Sequence, residues 1–308
     1  MGYGRSRRYR RTRRRTTSRF RKVRRSYRRG ARRFLRRSFG SRKALLNVTS
    51  RKARDNMIGC VVDNTGTPGT AGAPAVLTGD RAWEFAFCPS ARSILPDAVT
   101  PEIAIHVGEN SRRSTATYSV GYKERVTLET NTGANWMWRR IVFTLKNLDV
   151  MQSFPAETLF NRITTVAPYP GYVRSMYDYS TDSNARFNLY YHLFQGSIGA
   201  DYQDIFNAPV NTNRVRKIYD RVIPVGSGNN AGHWKQKRFW HPVRKMLYYN
   251  EKEGGDHKVT YTYGGHFNDG EYHGTGDLWV VDMFACANGK STDSMNFLPQ
   301  GTYYWHER

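Results

Sequence analysis

The residues best equipped for chemistry in this chain stand at its start. Arg5, Arg7, Arg8, Arg10, Arg11, Arg13, Arg14, Arg15, Arg19, Arg21, Lys22, Arg24, Arg25, Arg28, Arg29, Arg32, Arg33, Arg36 and Arg37 crowd the first 37 residues, with no acidic side chain among them. A guanidinium is planar and permanently charged, grips phosphate through paired N–H groups and stacks on a base. Tyr3, Tyr9, Phe20, Tyr27, Phe34 and Phe39 punctuate these cations at intervals suited to stacking on unpaired bases. The chemistry expected is binding of single-stranded nucleic acid. Sequence readout is not implied, because a flexible polycation meets phosphates whatever the bases are. Two other readings fit the same charge. One is an address for nuclear import receptors, which needs far fewer cations and is compatible with packaging; the other is a membrane-surface helix, for which the apolar positions are too few.

Elsewhere the inventory of reactive constellations is thin. No G-x-S-x-G, H-E-x-x-H or G-x-G-x-x-G pattern occurs. Gly289-Lys290-Ser291 has the ending of a phosphate-binding loop, but Phe284 stands where its first glycine should be. His266, Asp269, Glu271 and His273 could bring oxygen and imidazole groups towards one ion, yet turn chemistry at Asn268-Asp269-Gly270 accounts for the same residues. His233 and His241, interleaved with Trp234, Lys235 and Trp240, read as strand residues. Cys60, Cys88 and Cys286 are odd in number and far apart, which suits buried free thiols better than a zinc site or disulfides. No catalytic residue, metal or cofactor is expected.

The elements that must position this chemistry follow from charge and periodicity. Residues 1–54 carry 24 basic side chains and no acid, whereas 55–308 carry 25 of each sign, so the whole excess of +24 sits in the N-terminal sixth. That arithmetic excludes a uniformly basic fold. It divides the chain into a disordered arm over 1–54, too poor in apolar surface to order itself, and a neutral domain over 55–308. Within the arm, Phe20, Val23, Tyr27, Ala31 and Phe34 follow helical spacing, and Gly30 weakens that helix by about 1 kcal/mol. No apolar run is long enough to span a bilayer, and the opening MGYGRSRRYRR lacks a signal peptide's apolar core, so a cytosolic or nuclear protein is expected.

From Met57 onward the period is two. Tyr118, Val120, Tyr122, Val126 and Leu128 alternate with polar residues, as do Phe187, Leu189, Tyr191 and Leu193, and Val259, Tyr261 and Tyr263. In Trp136–Lys146 the apolar phase slips by one residue, which predicts a bulge at Arg139 and Arg140. LWVVDMFACA at 278–287 reads as a strand buried on both faces. Further strands are expected at 57–63, 83–88, 214–225 and 234–247, and short helices near 149–162 and 201–207. The linkers NTGTPGTAGAP, GSGNNAG and EKEGGD read as loops. The fold class expected is all-β: an antiparallel sandwich of about eight strands, the jelly roll being the version in which long loops at the sandwich ends are ordinary.

A neutral sandwich rich in Tyr and Trp behind an Arg-rich arm resembles the capsid proteins of small single-stranded DNA viruses. GADYQDIFNAPVNTNRVRKIYDR at 199–221, FWHPVRKMLYYNEKEGGD at 239–256, GDLWVVDMFA at 276–285 and YYWHER at 303–308 resemble the coat proteins of genomoviruses, with MGYGRSRRYRRTRRR and RKARDNM at 51–57 fitting the same group. The resemblance is weakest over 64–115 and 168–186. It implies a jelly roll, self-assembly of about 60 copies into a small icosahedral shell, packaging of a circular single-stranded DNA genome, import into the host nucleus and residence in the virion, with no membrane partner. A host-type DNA-condensing protein with a partner-binding β domain, or an enzyme with a basic tail, would share the charge partition but not this C-terminal likeness.

Overall fold

Period-two patterning becomes strand wherever one or both faces can be buried. The structure, a computed structural model, describes residues 42–92, 112–155, 158–163, 171–249, 251–254, 257–260 and 274–307. The chain separates into two units, Met1–Ser50 and Arg51–Arg308. In the first unit the described residues form α1 (Arg42–Thr49), closed by Ser50 N–H donating to Leu46 O at 3.1 Å.

The second unit is mostly β. Its strands are β1 (Arg51–Val62), β2 (Ala75–Thr78), β3 (Trp83–Phe87), β4 (Ala116–Thr130), β5 (Trp136–Leu145), β6 (Asn161–Ile163), β7 (Gly171–Asp178), β8 (Arg216–Val225), β9 (Trp234–Tyr248), β10 (Glu251–Gly254), β11 (His257–Thr260), β12 (Asp277–Cys286) and β13 (Ser294–Glu307). Two helices complete the unit, α2 (Leu148–Gln152) between β5 and β6 and α3 (Ser183–Leu193) between β7 and β8. The main path of paired strands runs β8-β5-β12-β3-β7-β1-β13-β4-β9, with β2 added to β13 and β6 to β7. β1 turns the path over. Its first part, Arg51–Ile58, pairs antiparallel with β13, and its last part, Gly59–Val62, pairs with β7 in parallel, a departure from the wholly antiparallel expectation. The end strands then approach each other: the Tyr219 ring of β8 lies 5.7 Å from Phe239 of β9, and Lys235 Nζ donates to Pro224 O at 2.8 Å. The sheet is thereby nearly closed.

Within the layer β8-β5-β12-β3-β7 the inner strands β5, β12 and β3 are buried on both faces, while β8 at its edge is largely exposed. Phe85, Trp136, Trp138 and Phe284 pack inward against Val126, Leu128, Met295 and Phe297 of the other layer. On the opposite face, Ile141, Phe143, Trp279, Val281 and Met283 pack against Leu189 and Leu193 of α3 and Phe194 at its end, in the connection from β7 to β8. Each such apolar side chain contributes roughly 1.5–3 kcal/mol of burial. The strand expected at 278–287 runs from Asp277 to Cys286 and is buried on both faces as far as Phe284; Ala285 and Cys286 are half-exposed, and Ala287 lies beyond its end, exposed. Cys286 is therefore not a buried thiol, although Cys60 and Cys88 are.

Several expectations are corrected. Residues Phe187 to Leu193 belong to α3 and not to a strand: Asp182 caps it by accepting from Asn184 N and Ala185 N, and Ala185, Leu189, Tyr190 and Leu193 form its buried stripe. No bulge interrupts β5 at Arg139 and Arg140: the ladder to β12 runs unbroken from Trp136 to Leu145, and the register shift in the ladder to β8 falls later, between Val142 and Phe143, with Ile218 of β8 as the extra residue. The slip in the apolar phase reflects burial of β5 on both faces, and the two arginines serve opposite sides. Arg139 donates to Ala208 O at 2.8 Å and grips Asp220 at 3.0 Å, while Arg140 points between the layers.

The pronounced bulge lies in β4 and β9. Val120 is an extra residue against β13, and Val243 and Arg244 together face it from β9, with Arg244 at φ 53°. This flips Tyr118 to the outer face while Thr117 and Ser119 become buried. The helix expected near 149–162 is confined to Leu148–Gln152, and residues 201–207 form turns. EKEGGD is not simply a loop, because Glu251–Gly254 pairs with His257–Thr260 as a hairpin. Within the arm expected over 1–54, residues 42–49 are helical, and Arg51, Lys52 and Arg54 already lie in β1, where Ala53, Asp55 and Met57 point inward.

Candidate nucleic-acid interface

All of the arm cations from Arg5 to Arg37, the stacking candidates Tyr3, Tyr9, Phe20, Tyr27 and Phe34, the helical spacing around them, and the cluster His266, Asp269, Glu271 and His273 lie outside the described residues. Among the described residues, no group of His, Cys, Asp and Glu is arranged to hold a metal ion, and no helix is long and apolar enough to cross a membrane.

One surface of the second unit carries the kind of chemistry expected of the arm. Whereas β5, β12 and β3 of the other layer are covered on both sides, β1, β13, β4 and β9 turn one face to solvent. Strand register arranges its outward side chains in cross-strand rows. Asn56, Thr302, Lys123 and Trp240 form one row, and Ile58, Gln300, Arg125 and Arg238 form the next. Towards the start of β1 follow Arg54 with Tyr304, then Lys52 with His306, Tyr118 and Met246. Lys52, Arg54, Lys123, Arg125 and Arg238 are all exposed. No carboxylate among the described residues pairs with any of these five, and the acid in these rows, Glu129, stands at the far end opposite Trp234. His306 senses this field: partial burial, together with Lys52, pushes its pKa below the ordinary value.

Arg125 and Arg238 are direct cross-strand partners. Like charges in that position repel and destabilise the pair, so stability does not explain them. Of the aromatic side chains in these rows, Trp240 and Tyr118 are exposed and Tyr304 and His306 half-buried. Trp240 retains 46% of its surface and meets Tyr304 edge to face, with centroids 5.8 Å apart. Gly121 makes that possible, since a Cβ there would lie 2.9 Å from the Trp240 ring.

The cations are aimed outward by what lies beneath them. Glu124 separates Lys123 from Arg125 and points the other way, into a fully buried cluster with Arg140, Arg174 and Asp282. Arg140 grips Asp282 through Nε at 2.7 Å and Nη2 at 2.9 Å, and its Nη1 touches Glu124 Oε2. Arg174 bridges the same two acids, reaching Glu124 at 3.0 Å and Asp282 at 2.7 Å. Trp138 Nε1 and Tyr122 O–H donate to Asp282 and Glu124 in turn. Two charges of each sign cancel, and the cluster ties β4 to β5, β7 and β12. Burial alone would raise the Asp282 pKa, but Arg140 and Arg174 hold it below the usual carboxylate range. His241, behind Trp240, is pushed down to about 3 by burial and the nearby Arg140, which keeps it a neutral strand residue as its setting predicts.

The outer face escaped sequence reasoning because its cations are balanced by acids elsewhere in the neutral domain. Only register separates them, sending Lys123 and Arg125 outward and Glu124 inward. The available signal was the alternation Lys123, Arg125 and the spacing of Arg238 and Trp240. No protein-family model and no curated protein matches the sequence.

Proposed function

We propose that this chain is the coat protein of a small virus, assembling with copies of itself into an icosahedral shell and packaging circular single-stranded DNA through its Arg-rich arm. The observation that carries this reading is the charge partition: an arm with 24 cations and no acid precedes a domain of zero net charge. A neutral domain can pack against its own copies without long-range repulsion, while an inward-pointing arm meets genome phosphates and releases their counterions. Closed symmetry then gathers many identical arms on one interior surface.

The order of strands supports the jelly-roll form of the fold. Apart from β7, which joins β3 to β1, the path contains the two four-stranded runs β1-β13-β4-β9 and β3-β12-β5-β8, an order consistent with two interleaved Greek keys. The same arm offers a basic segment to host nuclear import receptors, so assembly belongs in the nucleus and the mature protein in the virion. Neither an active site nor a cofactor nor a membrane enters this function. Negative-stain electron microscopy of the purified full chain tests it: uniform small closed shells are expected, and a protein that stays monomeric under native conditions refutes the assembly.

A further inference from the structure

We propose that the open face of the β1-β13-β4-β9 layer is a second nucleic-acid site, one that holds unpaired nucleotides by stacking on Trp240 and is separate from the arm. The inference deepens the packaging reading and rests on it for the identity of the polymer. Its structural basis is the juxtaposition of three chemistries on adjacent cross-strand rows. A groove of about 290 Å³ runs between β1, β13 and β4, lined by Asn56, Ile58, Lys123, Arg125, Gln300 and Thr302. That volume is at the lower end of small-ligand sites, about 300 Å³.

Lys123 and Arg125 form one wall of the groove, and Arg238 continues the line of charge onto β9. These cations have no carboxylate partner among the described residues, and the repulsion between Arg125 and Arg238 is relieved when a phosphate lies between them. Amide side chains form the other wall. Thr302 Oγ1 donates to Asn56 Oδ1 at 2.7 Å, which leaves the Asn56 amide N–H groups to donate outward beside the exposed Gln300 amide. Amides of this kind bond the edges of bases that are not occupied in pairing. Trp240 stands directly across from Lys123 with nearly half of its surface open.

A base can lie on the indole only if it has left its helical stack, and phosphate binding alone would need no aromatic ring. The combination therefore selects single strands over duplex. A four-stranded sheet displaying aromatic side chains among cations is a known physical solution to this task.

The test uses the full chain and its Trp240→Leu and Trp240→Phe variants, both at an exposed position. Binding of a short oligothymidine is followed by tryptophan fluorescence at high salt, where the arm's phosphate contacts are screened. Wild type should be quenched and should prefer the single strand over a duplex of equal length. Trp240→Leu should lose the quenching and bind roughly tenfold more weakly, and Trp240→Phe should restore the affinity without the signal. Lys123→Ala with Arg125→Ala and Arg238→Ala should reduce the salt slope by about 2. Unchanged affinity in Trp240→Leu, or equal competition by duplex and inorganic polyphosphate, overturns the stacking site. Microscopy of the same preparations separates the two readings: filled shells with unaltered oligonucleotide binding defeat this site alone, whereas quenching by single strands without any shell defeats the packaging reading alone.

Discussion

Arg140 of β5 and Asp282 of β12 are direct cross-strand partners and close a two-pronged ion pair in the interior, with neither side chain exposed. The charge is balanced only when Glu124 and Arg174 are counted with them. Replacing Asp282 by Asn leaves two guanidinium groups facing one carboxylate with no water to screen them. We expect a loss of about 3–5 kcal/mol in unfolding free energy, measured by denaturant titration of the folded protein. A loss below about 1 kcal/mol would show that solvent reaches the cluster.

Acid should weaken the domain in two stages. The folded-state pKa of His241 is lowered from 6.5 to about 3, so between those values the unfolded chain binds a proton that the folded chain does not. Stability therefore falls as pH falls through that window, by at most about 1.4 kcal/mol per pH unit for this one group. His192 and His306 are lowered in the same direction and add to the slope. Asp282 acts at lower pH: its folded-state value is depressed below 3.8, so the stability it lends is present above that value and is lost as pH drops through the folded-state pKa. Thermal unfolding of His241→Phe between pH 7 and pH 4 (roughly the span of the histidine window) should show a flatter pH dependence than wild type. Parallel curves would remove His241 from the account.

Surface and interior cations should respond in opposite senses. Arg125 faces Arg238 directly and has no acid to balance it among the described residues. Arg125→Thr should leave stability unchanged or raise it by a few tenths of a kcal/mol, roughly 0.2–0.5, while weakening nucleic-acid binding. Chemical denaturation and oligonucleotide titration of the same variant read both effects. Destabilisation by more than about 1 kcal/mol would assign Arg125 to the fold.

Deleting residues 2–50 removes the first unit up to the residue before β1 and none of the paired strands. The truncated chain should keep its β circular dichroism and should no longer retain long single-stranded DNA at moderate salt, because most of the phosphate contacts are gone. Loss of the β signal would show that the arm is needed for folding.

Packaging should scale with arm charge. About 60 arms with 24 cations each would present on the order of 1,400 positive charges, enough for a very small genome. Changing Arg5, Arg7, Arg8, Arg10, Arg11, Arg13, Arg14 and Arg15 to Ala removes a third of that charge. Shells should still form, and the ratio of absorbance at nucleic-acid and protein wavelengths should fall. An unchanged ratio would transfer the genome contacts to the sheet face and leave the arm to nuclear import.

Local patterning carried the sequence a long way. Strand type was legible at β12 and, beyond the bulge at Val120, at β4, because half-buried and fully buried strands leave different periodicities, and the absence of acid before Asp55 separated arm from domain without any structure. Residues 187–193 were misread for a physical reason: Phe187 and Tyr191 are apolar but exposed, stacked on each other on the outside of α3, so the run alternates like a strand while its buried stripe follows helical spacing.

Composition and period thus determined by themselves that the chain is an Arg-rich arm joined to a neutral, mostly β domain, since both properties are sums over neighbouring residues. Which arginine faces water and which faces a carboxylate is not such a sum. Arg139, Arg140, Arg125 and Arg238 are chemically identical, and only the register of β5, β12, β4 and β9 makes the first two interior anchors and the last two an open pair. The basic aromatic face exists because α3 and the residue after it cover β5 and β12 on their far side while nothing among the described residues covers the outer side of β1, β13, β4 and β9, and that pairing of distant segments was decided by the tertiary structure alone.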